Sequence, residues 1–289
     1  MANGHLKLAI QKSGRLTEKS LQLLRTCGLD VENYKDRLFV TVRNFDMDIL
    51  FLRDDDIPEY VQDGVADIGF VGENVLLEKR ANVELAKRLG YSKCKLRIGI
   101  PENEEITNVN DLIGKTIATS YPNILKSYLA ENKIDAKVIQ ISGSVEITPA
   151  LGIADYICDL VSTGTTLKMN KLKTSLTILD SEAVLIKNKN LDQNPVKKDL
   201  FNKLIVRIES ALNAKNSKYL MMNIPKESLK EIIKIIPSLK SPTVLHLADE
   251  SMLAIQSVIP AEKFWDINSD LHKAGATDIL LLPIENIIL

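Results

Sequence analysis

The sequence predicts an α/β body with a smaller α+β module at its C-terminal end. Three observations predict it. Over residues 6–175, apolar strand-like runs alternate with helical spacings, and polar turns marked by Gly or Pro fall at the strand ends. Residues 155–167 pass from an apolar run into hydroxyls and a glycine, then into a helix. Residues 219–282 read strand, helix, strand, strand, helix, strand.

Composition narrows the function. The 289 residues suffice for two or three domains. Lys and Arg number 37 against 38 Asp and Glu, so a general nucleic-acid or membrane surface is not expected, and 5% aromatics leave few stacking platforms. No apolar run is long enough to span a bilayer, and the N-terminus lacks the apolar core of a signal peptide. Cys27, Cys94 and Cys158 are far apart and odd in number, which fits a reducing cytoplasm. Cys94 lies between Lys93 and Lys95, cations able to lower its pKa, but with no motif around it a structural cysteine is the favoured reading. His5, His246 and His272 stand in no nucleophile or zinc motif, so the chemistry is not expected to rest on a histidine base.

Taken in order, residues 6–10 make a first strand, and residues 16–27 a helix that ends at Gly28. Between them Lys12, Ser13, Gly14 and Arg15 form a basic turn at a strand's C-terminal edge, where open α/β sheets bind ligands. Two cations beside a Gly turn suit a polyphosphate; a solvated basic turn fits the same residues. Runs 38–42 and 48–52 read as strands, here a hairpin. Arg53 and three aspartates follow, more acid than a helix start needs, before a helix with Pro58 in its first turn. Residues 66–72 form a buried strand, Glu73 opens the next helix, and 95–100 is a further strand.

Gly114-Lys115-Thr116 resembles part of a P-loop, but the required earlier glycine is Val109 and a strand follows the Gly, so the P-loop is rejected. Residues 115–119 and 136–141 are strands around a helix over 123–131, and a second helix is expected after Gly143. Residues 102–175 thus form an α/β unit of their own. Residues 176–187 read as one unbroken strand able to run back into the first block, and 195–214 as one helix. The last block, strands near 219–224, 243–247, 253–259 and 278–282 with helices between, is the split βαβ of ferredoxin-like domains.

In residues 155–167, Ser162, Thr163, Thr165 and Thr166 supply hydroxyls and Gly164 lets the backbone close on an anion at a helix start. Asp159, just upstream, can accept hydrogen bonds from vicinal sugar hydroxyls. Phosphate plus ribose is one reading; an ordinary Ser/Thr-capped turn is the other.

Glu146, Gly152, Ala154, Ile157, Asp159, Leu160, Thr163, Gly164, Thr166 and Leu167 together resemble the signature of the ATP phosphoribosyltransferases. Segments 11–16, 53–58, 72–76, 118–122 and 143–146 resemble further family segments in the family's order, and 218–222, 241–243 and 282–285 resemble the extra domain of the long form. The resemblance spans essentially the whole chain.

It implies two lobes of the periplasmic-binding-protein type, the first over 1–100 with a return segment at 178–216 and the second over 101–177, with the active site in the cleft. It also implies an ACT-like regulatory domain at 217–289 that binds histidine as inhibitor, and a homohexamer in exchange with dimers. The implied reaction joins ATP to the ribose of phosphoribosyl pyrophosphate with Mg²⁺, held mainly by substrate phosphates. On this resemblance Asp159 and Ser162–Thr166 hold the phosphoribosyl group, with Arg15 and Arg53 on the pyrophosphate or triphosphate. Lys12, Glu73, Tyr121 and Glu146 line the nucleotide side. Thr243 and Asn223 belong to the effector site, Asn223 standing where some members have Asp. A solute-binding protein and a purely regulatory protein are the rival readings.

Overall fold

A computed structural model describes residues 4–31, 37–161 and 164–289. The chain opens with β1 (Leu6–Gln11), α1 (Arg15–Thr26), β2 (Phe39–Thr41), β3 (Met47–Leu52), α2 (Ile57–Gln62), β4 (Ile68–Gly72), α3 (Glu73–Lys79) and β5 (Glu84–Arg88). It crosses into β6 (Cys94–Pro101), β7 (Thr116–Thr119), α4 (Pro122–Glu131), β8 (Lys137–Gln140), β9 (Tyr156–Val161), α5 (Thr165–Met169) and β10 (Leu172–Ser181). It then returns through β11 (Ala183–Lys187) and α6 (Pro195–Lys215).

The first sheet has the order β2-β3-β1-β4-β11-β5 and the second β10-β6-β9-β7-β8. This is the expected two-lobed, periplasmic-binding-protein-like architecture, with one crossing between β5 and β6 and another between β10 and β11. The strands are apolar on both faces because helices cover both: Leu8, Ile10, Ile49, Ile68 and Leu185 are fully buried in the first lobe, and Leu96, Ile98, Ile117 and Leu125 in the second. Each such side chain contributes about 1.5–3 kcal/mol by leaving water.

The crossings correct three expectations. The first sheet ends with β5, not at residue 100, because Leu96, Ile98 and Ile100 of β6 pack into the second lobe's core. Residues 176–187 are two strands, not one: Glu182 separates β10, antiparallel to β6, from β11, antiparallel to β4 and β5. The helix expected after Gly143 is only a short 3-10 turn at Val145–Ile147; the Thr148 hydroxyl donates to the Val145 carbonyl (2.7 Å), and Pro149 cannot extend the turn.

By compactness the chain divides into one unit of Met1–Gln22 with Asp30–Leu200 and another of Leu23–Leu29 with Phe201–Leu289. The second unit begins inside α6, ahead of residue 217. The reason is local: Arg207 of α6 donates to the Cys27 carbonyl (3.5 Å), and Ile287 N donates to the Ser210 carbonyl (3.1 Å). This unit also contains β12 (Ser217–Pro225), α7 (Leu229–Ile235), β13 (Thr243–His246), β14 (Met252–Pro260), α8 (Phe264–Lys273) and β15 (Thr277–Pro283). The sheet order β13-β14-β12-β15 is ferredoxin-like. Leu220, Met222, Ile224, Leu253 and Ile255 alternate onto the face covered by Phe264 and Leu271. Among the described residues no helix is long and apolar enough to cross a membrane.

Candidate functional site

On the first lobe, β1 lies parallel to β3 with Gln11 opposite Leu52, and Lys12 N donates to the Leu52 carbonyl at 2.7 Å. Lys12 and Arg53 therefore leave the same sheet edge side by side. Gly14 takes a positive φ (+109°), which turns the chain into α1, and Arg15 is the first residue of that helix. The Thr17 hydroxyl ties the turn back to the Gln11 carbonyl (2.8 Å). Arg53 is extended (φ −70°, ψ 144°) ahead of the Asp54–Asp56 turn. Lys12, Arg15 and Arg53 are all exposed, so this rim is cationic and wet.

On the second lobe, β7 and β9 run parallel, with Thr119 opposite Cys158. The fully buried Thr119 hydroxyl donates to the Cys158 carbonyl (2.7 Å) and accepts from Tyr121 N (2.9 Å), fixing Tyr121 beside the end of β9. Asp159 and Glu146 are half-buried. Burial raises the Asp159 carboxyl above its ordinary range; Leu160 N–H opposes this, and the charge of Glu146 adds to it. Gly164 sits at φ +74° as the N-cap of α5, with Thr165 and Thr166 exposed in the first turn. Ser162 and Thr163 lie outside the described residues.

Tyr121 brings the two rims together. Its phenol is pushed up by burial first, then by the negative charge of Asp159 from the second lobe and of Asp54 and Asp55 from the first. Asn74, on the first lobe, donates to the Tyr121 hydroxyl at 3.4 Å. The acidic run after Arg53 and the Asp159 strand end therefore share one electrostatic neighbourhood.

Glu73 opens α3 on the first lobe. It is buried, and both carboxylate oxygens accept from Arg88, which also pairs with Glu182 at 3.6 Å. Its N–H also donates to the Glu182 carbonyl (2.9 Å), tying it to the crossing between β10 and β11.

A cavity of about 530 Å³ is lined by four cations: Lys93 and Lys95, which the sequence reading set only beside Cys94, and Arg88 and Arg97, which it missed. In the antiparallel β6–β9 pair Arg97 stands opposite Asp159 and Lys95 opposite Val161, so both share the Asp159 face. Arg97 donates to the Ser175 carbonyl (3.0 Å), while its buried Nε has no partner among the described residues. In a strand these alternating cations look like a solvated face; only the pairing with β9 puts them beside the candidate site. Cys94 lines the cavity, but burial pushes its thiol up, with Ser181 opposing. The lowering expected from Lys93 and Lys95 is not found, because burial outweighs it.

In the C-terminal unit Asn223 and Thr243 are not on adjacent strands, since β14 lies between β12 and β13. Asn223 pairs with Ala254, and Thr243 with Gln256. The two residues are thus two strand spacings apart and two residues out of register, about 12 Å on strand geometry. The Asn223 amide donates to the Asp278 carboxylate (3.0 Å), an acid on β15 that the sequence did not single out.

The sequence pattern of the ATP phosphoribosyltransferase family matches residues 53–210, and that of its HisG C-terminal domain matches 214–286. The ATP phosphoribosyltransferase of Cytophaga hutchinsonii is 48% identical over 283 residues, covering 98% of each chain. The chain belongs to the ATP phosphoribosyltransferase family. The Parabacteroides distasonis ATP phosphoribosyltransferase is 46% identical, covering 98% of this chain and 99% of that one. Among solved structures, the ATP phosphoribosyl transferase (HisG:HisZ) complex from Thermotoga maritima matches with a TM-score of 0.58 and 32% identity, over 71% of this chain and 98% of that one. The C-terminal match makes this a long-form ATP phosphoribosyltransferase, a pentosyltransferase of histidine biosynthesis. That sets aside the solute-binding and purely regulatory readings.

Proposed function

We propose that the enzyme transfers the phosphoribosyl group of phosphoribosyl pyrophosphate to N1 of ATP, giving 1-(5-phosphoribosyl)-ATP and pyrophosphate. The observation that supports this reading is Tyr121 of the second lobe, whose hydroxyl accepts from Asn74 of the first (3.4 Å) and whose phenol is pushed up by burial and by the carboxylates of Asp159, Asp54 and Asp55. The N1 lone pair forms the new bond to C1 as the C1–O bond breaks, and its electrons depart on pyrophosphate. A neutral nitrogen nucleophile needs no strong base. Positioning and charge stabilisation supply the rate. In this reading Thr165, Thr166 and the Gly164 backbone, with Ser162 and Thr163, hold the 5′-phosphate. Asp159 accepts from the ribose hydroxyls. Arg15, Arg53 and Lys12 meet the pyrophosphate and triphosphate, and Tyr121 and Glu146 form the nucleotide wall.

Among the described residues no group of three or more His, Cys, Asp or Glu could hold a metal ion. A Mg²⁺ that arrives on substrate phosphates and takes at most one or two protein carboxylates fits this residue set, and a protein-only cage does not. When bound, it neutralises the charge of the departing pyrophosphate. We assign Asn223 and Thr243, with Asp278 beside Asn223, to recognition of inhibitory histidine. The working form is a cytoplasmic homohexamer exchanging with dimers. Incubation with ATP, phosphoribosyl pyrophosphate and Mg²⁺ tests the reaction: phosphoribosyl-ATP and pyrophosphate appear in equal amounts, and absence of both overturns the reading. Added histidine then lowers the rate, and sedimentation measures the assembly.

A further inference from the structure

The first turn of α4 lacks a cap of its own. An α-helix leaves its first N–H groups without intrahelical partners, and the N-cap residue here, Tyr121, makes no side-chain cap. The missing acceptor comes from the other lobe. The Glu78 carboxylate accepts from Asn123 N with both oxygens (3.0 Å each) and from Ile124 N (3.0 Å), and the Asn123 amide donates back to the Glu78 carbonyl (2.9 Å). Next along the chain, Arg80 reaches the Asn123 carbonyl (3.4 Å) and the Ser127 hydroxyl (3.2 Å). Negative charge at a helix N-terminus is favourable, and a charged acceptor strengthens the bonds.

The other end of α3 is tied as firmly. Asn74 N donates to the Ser181 hydroxyl (3.0 Å), which donates to the Asn74 side-chain oxygen (2.9 Å), and Glu73 N donates to the Glu182 carbonyl (2.9 Å). One short helix of the first lobe therefore grips the crossing between the lobes at its start and α4 of the second lobe at its end. Opening the lobes would strip the N–H groups of Asn123 and Ile124 of their acceptor. Tyr121, whose hydroxyl accepts from Asn74 of the first lobe (3.4 Å), lies two residues before Asn123.

We infer that Glu78 is a positioning residue: it caps α4 from the opposite lobe and so sets the lobe angle at which the two rims act together. The inference rests on the proposed phosphoribosyl transfer, because it takes both rims to serve one reaction. Glu78 acts through the start of α4, whose Asn123 and Ile124 N–H groups occupy its carboxylate. Its effect falls on KM for both substrates, since both bind between the lobes, with a smaller effect on kcat.

The test uses the full chain with Glu78→Ala and the near-isosteric Glu78→Gln, which keeps one acceptor oxygen and guards against a misfolded alanine variant. Hydrogen exchange at Asn123 and Ile124 is read beside steady-state rates with ATP, phosphoribosyl pyrophosphate and Mg²⁺. In Glu78→Ala, exchange is expected to quicken about fivefold or more, the typical effect of a lost cap. kcat/KM is expected to fall about tenfold through KM for both substrates. Glu78→Gln lies between on both readouts. Faster exchange with both KM values unchanged overturns the positioning role, and unchanged exchange overturns the cap itself. An inactive wild-type enzyme overturns the proposed reaction instead. The cap between the lobes is then judged by exchange and small-angle scattering, where a Glu78→Ala variant of unchanged exchange and radius of gyration refutes it.

Discussion

The two rims of the cleft are built in opposite ways. The first lobe offers Lys12, Arg15 and Arg53 on exposed turns, held by backbone register and free to follow a flexible polyphosphate. The second offers Asp159, Glu146 and Tyr121 half-buried, with the Asp159 carboxyl and the Tyr121 phenol raised by burial. A wet cationic rim steers and neutralises charge. A drier polar rim orients a sugar, and each polar group it holds costs stability. The difference teaches which residues can be exchanged cheaply and which cannot.

The largest expected effect breaks the cationic rim. Arg53→Ala is expected to lower kcat/KM by about 10²–10³, measured as initial rates of phosphoribosyl-ATP formation, with little change in thermal stability because Arg53 is exposed. An equally large stability loss would erase the contrast between the rims.

Next comes Gly164→Val. Among the described residues only Val161 Cγ1, at 3.9 Å, approaches a Cβ there, so the penalty is the φ of +74° and not crowding. Forcing a branched residue into that conformation costs about 1–3 kcal/mol. Titration calorimetry should show phosphoribosyl pyrophosphate binding weakened far more than histidine binding; equal losses would undo the phosphate assignment.

Asp159→Asn sharpens the comparison through pH. The folded-state pKa of Asp159 is raised, so its contribution to stability is fully present below the unfolded pKa and is lost as pH rises through the folded value. At neutral pH the buried carboxylate therefore opposes folding. The variant is expected to denature at a higher urea concentration than wild type at pH 7, to lose that advantage in acid, and to turn over poorly throughout. A variant less stable than wild type at pH 7 would contradict the burial cost.

The smallest effect is in the C-terminal unit. Asn223→Ala removes one neutral–charged hydrogen bond to Asp278, and the histidine concentration for half inhibition should rise by about two- to tenfold. An unchanged value would remove Asn223 from the effector site.

Much of this was legible from local chemistry. The strand–hydroxyl–Gly–helix run at 155–167, the basic turn at 12–15 and the ferredoxin-like order at the C-terminus are all written in contiguous residues, where periodicity and turn chemistry speak directly. What was not legible depends on partners distant in sequence. β5 (Glu-Leu-Ala-Lys-Arg) has no strand pattern and forms because β11 offers it an edge. The break at Glu182 follows from which sheet each side joins. Arg97 beside Asp159, and Glu78 on α4, are pairings of 62 and 45 or more positions that no window on the sequence contains.

The return strand has a consequence for the order of assembly. β11 is buried along its whole length and lies between β4 and β5, yet it is translated after the entire second lobe. Until residue 187 leaves the ribosome, β4 keeps an open edge and β5 has no neighbour at all. The second lobe closes from contiguous sequence and is expected to fold first, templating the one that begins the chain. Chains arrested after residue 182 should therefore protect β6 to β9 against pulsed hydrogen exchange while leaving β5 unprotected, so the N-terminal lobe is born early and finished late.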